Sequence, residues 1–182
     1  MAHQFSTSYI EDATSLFRYY KQLAEGAMAQ IADEQLFATL DEEMNSIAIV
    51  VKHIAGNMRS RWTDFLITDG EKPDRNRDTE FVDPARTRNE LMKVWNQGWE
   101  KVFGTLSQLS DQDLPTRVTI RGEPHSVMQA IQRQVAHYAY HCGQIVFLAK
   151  HFKGQDWKSL SVPRNRSAEF HRKVLAGEAS QR

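Results

Sequence analysis

The chain has 182 residues, 41% of them apolar and 25% charged. That is the composition of a folded globular protein, at a length that can bury a core without disulfide or metal staples. Twenty-three basic residues balance twenty-three acidic ones, so no overall field draws the protein to nucleic acid or to an anionic membrane, and no apolar run approaches the ~20 residues that span a bilayer.

Cys142 is the only cysteine. It excludes an internal disulfide and suits a reducing compartment. The opening residues Met1, Ala2, His3, Gln4 and Phe5 have no basic segment followed by an apolar one, so no signal peptide is read there. The expected location is the cytoplasm.

A first helix is predicted over about residues 7–31, where Ile10, Ala13, Phe17, Tyr20, Ala24, Ala27 and Ile31 recur at the three- and four-residue steps of one helical face. A short turn around residues 33–37 follows, with Asp33 as its expected cap. The second helix is predicted from Asn45 or Ser46 to about residue 67, burying Ile47, Val51, Ile54, Met58, Trp62 and Phe65. Residues 69–86 hold Gly70, Pro73 and Pro84 among dense charges. They read as a long loop, a solvated surface around Arg75 and Arg77 or a lid over a pocket.

The third helix is predicted over about residues 87–109, with Leu91, Trp95, Val102, Leu106 and Leu109 inward and Trp95 and Trp99 as core anchors. Between Pro115 and His125 the alternating run Arg117-Val118-Thr119-Ile120 reads as an extended or hairpin excursion. The fourth helix is predicted over about residues 126–151, capped by Ser126, with Gly154 beyond its end. A short helix is expected over residues 167–175. No internal repeat or linker divides the chain, which reads as one domain over residues 1–182.

His137 and His141 stand four residues apart on the fourth helix, so both imidazoles share one face. His53 lies inside the second helix, roughly 12 Å below its start at ~1.5 Å per residue. If those two helices run in the same direction with a modest stagger, all three rings converge. Spacing alone leaves a plainer alternative open, because i,i+4 histidine pairs arise by chance and a lone mid-helix histidine is often a hydrogen-bonded core residue. A zincin is excluded, since His-Glu-x-x-His needs a glutamate where Tyr138 stands. The Glu-x-x-His pairs of di-iron bundles are missing as well. Cys142 is turned about 100° from His141 and reads as a small core residue; His125, His151 and His171 lie at helix ends or in the tail.

Four separated blocks then resemble the DinB-like superfamily. They are N-S-I-A-I-V-V-K-H-I-A-G-N at 45–57, R-Q-V-A-H-Y-A-Y-H-C-G-Q-I at 133–145, S-L-S-V-P-R at 159–164, and the stretch from Arg59 to Asp78 that marks an uncharacterised bacterial subgroup. The resemblance runs over nearly the whole chain. It implies an all-α four-helix bundle with a short excursion before the fourth helix and a short C-terminal helix. It also implies a homodimer and one divalent metal ion held by a histidine of the second helix and two of the fourth. Carried onto this sequence, the ligands are His53, His137 and His141. Zinc, nickel, iron and manganese all suit such a set. The superfamily includes transferases that use a low-molecular-weight thiol, bacillithiol or mycothiol.

Three imidazoles leave a coordination position open, as catalytic sites do. The expectation is therefore a metal-dependent enzyme acting on a small molecule, by thiol transfer to an electrophile or by hydrolysis. The other classes are a non-catalytic binder of metal or small ligand and a bundle whose histidines have no metal function. Asn57, one turn from His53, and Arg133, one turn before His137, are expected to orient a ligand or a substrate anion.

Overall fold

Four long helices carry the computed structural model of the chain, which describes residues 5–180. Residues 1–4, most of the stretch in which no signal-peptide pattern is read, lie outside the described residues. The elements in chain order are α1 (Tyr9–Met28), α2 (Asp33–Phe37), α3 (Ile47–Trp62), α4 (Arg88–Leu106), the hairpin strands β1 (Arg117–Ile120) and β2 (Glu123–Ser126), α5 (Val127–Lys153) and α6 (Ser167–Leu175). The protein is mostly helical, and the one sheet among the described residues is this two-stranded antiparallel hairpin. No helix among the described residues is long and apolar enough to cross a membrane.

The helix starts follow the capping chemistry of the sequence. Ser8, Ser46, Thr87 and Ser126 each accept a backbone N–H three residues on, and Thr87 with Glu90 and Ser126 with Gln129 form reciprocal capping boxes. Asp33 does not cap α2. The Gln35 side chain accepts the Ala32 N–H at 2.9 Å, while the Asp33 carboxylate pairs with Arg88 Nε at 2.6 Å. α3 stops at Trp62, short of the expected 67, because Thr63 is extended and Asp64 takes a left-handed φ of 48°. Arg121 and Gly122, with φ of 56° and 77°, make the two-residue turn that suits the twist of the hairpin.

The long helices pack α1 on α5, α5 on α3, α3 on α4 and α4 on α1. Phe17 sits at the middle, edge-on to Trp62 at 5.7 Å, 6.2 Å from Trp99 and 5.6 Å from Tyr138. All four rings are at most 1% exposed. Tyr138 takes the Trp62 indole N–H at 2.9 Å and donates to Asn57 Oδ1 at 3.0 Å, so burying its hydroxyl leaves no unmet bond.

Helix directions explain the connections. Thr105 donates to Trp62 O at 2.7 Å, and a Cβ on Gly98 would meet Ala55 Cα at 3.2 Å. Later residues of α3 therefore face later residues of α4: the two run parallel. A parallel pair must be joined by a segment that returns along the helix, ~24 Å for sixteen residues. That return is the long loop between them. α3 and α5 run antiparallel, contrary to the common direction under which the histidines are expected to meet: Val50 lines a pocket with Phe147 and Leu148, and Asn57 bonds Tyr138. Arg61 lines another pocket with Gln134 and Ala130.

Candidate metal centre

The antiparallel crossing still brings the histidines together, because His53 and the pair on α5 lie at the same level. One ring nitrogen from each of His53, His137 and His141 lies within 4.8 Å of the other two, and His137 Nε2 stands 3.0 Å from His141 Nε2. Tetrahedral nitrogens ~2.0–2.1 Å from an ion would stand about 3.3 Å apart, inside that range. The three side chains are close enough together to hold one metal ion.

Two of the rings are oriented by partners that accept a proton. His53 Nδ1 is 2.9 Å from Glu80 Oε2, and His141 Nδ1 is 2.7 Å from Gln144 Oε1. Each partner draws the N–H to Nδ1 and leaves an Nε2 lone pair for the centre, as the outer partners of metal-ligating histidines do. Phe81 stacks on the His53 ring at 4.7 Å.

Glu80 belongs to the loop after α3, where the 3-10 turn Asp78–Phe81 lays it against the helix. Its carboxylate also accepts Arg75 Nε at 2.8 Å and Arg75 Nη2 at 2.9 Å. Arg75 in turn meets Glu71, which binds Arg61 at 2.9 Å and Arg121 at 3.0 Å. The Arg75 and Glu80 side chains are only 2% and 7% exposed. The inner side of this charged loop is thus a buried ion network around Arg75 and Glu80, while Asp74, Arg77 and Asp78 on its outer side form the solvated surface its composition suggests. Gly56 makes the approach possible: a Cβ there would fall 2.4 Å from Glu80 Oε1.

A cleft of about 500 Å³ opens beside the centre, lined by His53 and His137 together with Asn57 and Arg133. Both expected orienting residues therefore reach it. Asn57 has committed its oxygen to Tyr138, leaving its amide NH2 for a ligand. Arg133 is exposed. A larger cleft of about 660 Å³ lies between α3 and α4 behind the loop and is lined by none of the three histidines.

Burial pushes the His137 imidazolium down to about 3, helped by His141, His53 and Arg133. Burial also lowers His141, against the Gln144 bond that raises it. Burial alone would raise Glu80, but the bonds from His53 and Arg75 hold its carboxyl below the usual range. His137 and His141 are thus held as neutral imidazoles, while His53 is backed by a carboxylate. Cys142 is 1% exposed, with its thiol pushed up to about 12 by burial, and is the core residue the sequence suggests.

Glu80, Arg75 and Gln144 are the site residues that sequence reasoning misses. Gln144, three residues after His141 on one helix face, has a spacing signal. Glu80, 27 residues from His53, has none.

Fold and centre together define a mostly helical protein with three histidines clustered between two antiparallel helices. The chain belongs to the family described as protein of unknown function DUF1572, which matches residues 4–166. No curated protein and no solved structure matches it.

Proposed function

We propose that the chain is a single-domain, DinB-like four-helix bundle and a metal-dependent enzyme that transfers a low-molecular-weight thiol to an electrophilic small molecule. The observation that carries this reading is the convergence of three histidine nitrogens within 4.8 Å at the wall of a cleft of about 500 Å³, a volume that suits a small substrate. The ring of packed helices supports the bundle, the resemblance in the sequence supports a homodimer, and the single cysteine suits a location in the cytoplasm.

A divalent ion held there supplies Lewis acidity, which lowers the pKa of a thiol or water that it binds. His53, His137 and His141 would hold it, with zinc, nickel, iron and manganese all acceptable to such ligands. Glu80 fixes the His53 ring, and Gln144 fixes His141. In the transfer a new S–C bond forms, the bond to the leaving group breaks with its electron pair, and the thiol proton passes to solvent.

The cleft favours thiol transfer over hydrolysis on one point. None of its lining residues is a carboxylate, so it offers no aspartate or glutamate as a general base for water. Glu80 is committed to His53 and Arg75.

The first test is metal analysis of protein purified without a nickel column. About one divalent ion per chain is expected, and His53→Ala, His137→Ala or His141→Ala should each abolish tight binding. Full metal content in His53→Ala would exclude the α3 ligand. Activity is then assayed with a chlorinated aromatic electrophile against bacillithiol and other cellular thiols in parallel, with His137→Ala as the inactive control. Thiol-independent ester hydrolysis that disappears with the metal would select the hydrolase instead.

A further inference from the structure

The cleft beside the histidines has a composition unlike the chain as a whole. Arg61, Arg75, Arg77, Arg121 and Arg133 all line it, and no aspartate or glutamate does, although the whole sequence carries 23 basic and 23 acidic residues. Arg61, Arg75 and Arg121 are paired from behind with Glu71 and Glu80. Arg77 and Arg133 are different: among the described residues neither has a carboxylate partner.

Both are placed next to the centre. The Arg77 guanidinium lies 5.0 Å over the Phe81 ring, and that ring stacks on His53. Arg133 sits one turn before His137 on α5. Both arginines add to the field on the histidines, Arg133 on His137 and Arg77 on His141. Like charges on the walls of a concave site focus a positive potential into it, and planar guanidinium forks match carboxylate and phosphate oxygens. A divalent ion among neutral imidazoles would add positive charge. At about 500 Å³ the cleft suits a small molecule, not a polymer.

We propose that this cleft is an anion subsite in which Arg77 and Arg133 hold a small organic oxyanion, a carboxylate or a phosphate. The substrate or thiol thus carries such a group at one end and its reacting atom at the other, toward the histidines. The substrate class rests on the histidines being the reacting centre; the anion binding itself rests on the arginines alone.

The experiment is calorimetric titration of metal-free protein, prepared by dialysis so that no chelating carboxylate remains, at low ionic strength. The probes are inorganic phosphate and malonate, with malonamide as the uncharged control. Saturable binding of about one anion per chain is expected, weakened by added salt and absent for malonamide. The tighter of the two anions identifies the oxyanion. Arg77→Gln and Arg133→Gln, exposed side chains whose loss should not disturb folding, should each weaken binding roughly three- to tenfold, as loss of a charge-assisted hydrogen bond does. Arg172→Gln on α6 should change nothing.

Failure of the metal-free wild type to bind either anion would overturn the proposal. So would a double variant R77Q/R133Q that binds as tightly as wild type, or anion binding that appears only with zinc and is indifferent to both arginines. Phosphate binding by a protein that takes up no zinc would refute the reading of the histidines and leave the anion subsite standing.

Discussion

Removing the Glu80 carboxylate separates the role of the buried ion network from that of the histidines. Glu80→Ala deletes three hydrogen bonds, one from His53 Nδ1 and two from Arg75. Arg75, with a side chain 2% exposed, is left with Glu71 alone at 3.2 and 3.4 Å. Breaking a buried charge pair from one side costs 3–5 kcal/mol in measured cases, and the remaining Glu71 contacts place this one near the lower end, about 3 kcal/mol. For a chain of this size that is a fall of roughly 6–12 °C in melting temperature. The loss of the His53 partner should also weaken metal affinity about 10- to 100-fold.

Gly56→Ala tests the same contact without touching a charge. An alanine inside a helix ordinarily stabilises by about 0.5–1 kcal/mol over glycine. Here its Cβ would fall 2.4 Å from Glu80 Oε1 and push the carboxylate off His53, so both stability and metal affinity should fall. Thermal melts by circular dichroism and competition titration with a zinc-binding dye measure the two effects. A Glu80→Ala protein that melts like wild type would refute the buried-network argument. Unchanged metal affinity in both variants would show that Glu80 supports the loop and does nothing for the centre.

Three further outcomes follow from the same geometry. Stripping the metal should leave far-ultraviolet helicity nearly unchanged and lower the melting temperature only moderately, because a large buried apolar core around Phe17 holds the helices together without an ion; complete unfolding would mean the ion is structural. The metal-free protein should lose stability as the pH falls. His137 is depressed from 6.5 to about 3, so its contribution is complete above about 6.5 and drains away toward 3. Glu80, also depressed, adds its own loss below the ordinary carboxylate range near 4.5; a urea midpoint that stayed constant from pH 7 to pH 4 would contradict the His137 shift, and the absence of a steeper fall below pH 4 would contradict that of Glu80. Cys142, buried and with its thiol near 12, should react with Ellman's reagent only at the rate of unfolding, and prompt labelling of the native protein would place it outside the core.

The elements that the sequence makes legible are those governed by local periodicity. Ile10, Phe17, Met58, Trp62, Trp95 and Val102 are all buried as their spacing predicts, and Ser46, Thr87 and Ser126 start their helices as cap chemistry requires. The His137–His141 pair is legible for the same reason, since both rings ride on one helix turn. Helix direction is not a local property. Nothing in the periodicity of α3 or α5 says that they run antiparallel, and the level of His53 against the pair could be read only from packing.

The loop between α3 and α4 carries the same lesson for charge. Alternating signs over residues 69–86 have two solutions, a solvated strap or a set of ions that satisfy one another under cover. Composition does not distinguish them, but direction does. Because α3 and α4 run parallel, the loop must travel back along α3 and so passes over the face that holds His53 and Gly56. Over that face a lone charge would be costly, and a carboxylate such as Glu80 is tolerable only with Arg75 and a histidine N–H as partners. The opening left by Gly56 lets it reach them. The residue that orients His53 is thus supplied by the connection between the two parallel helices.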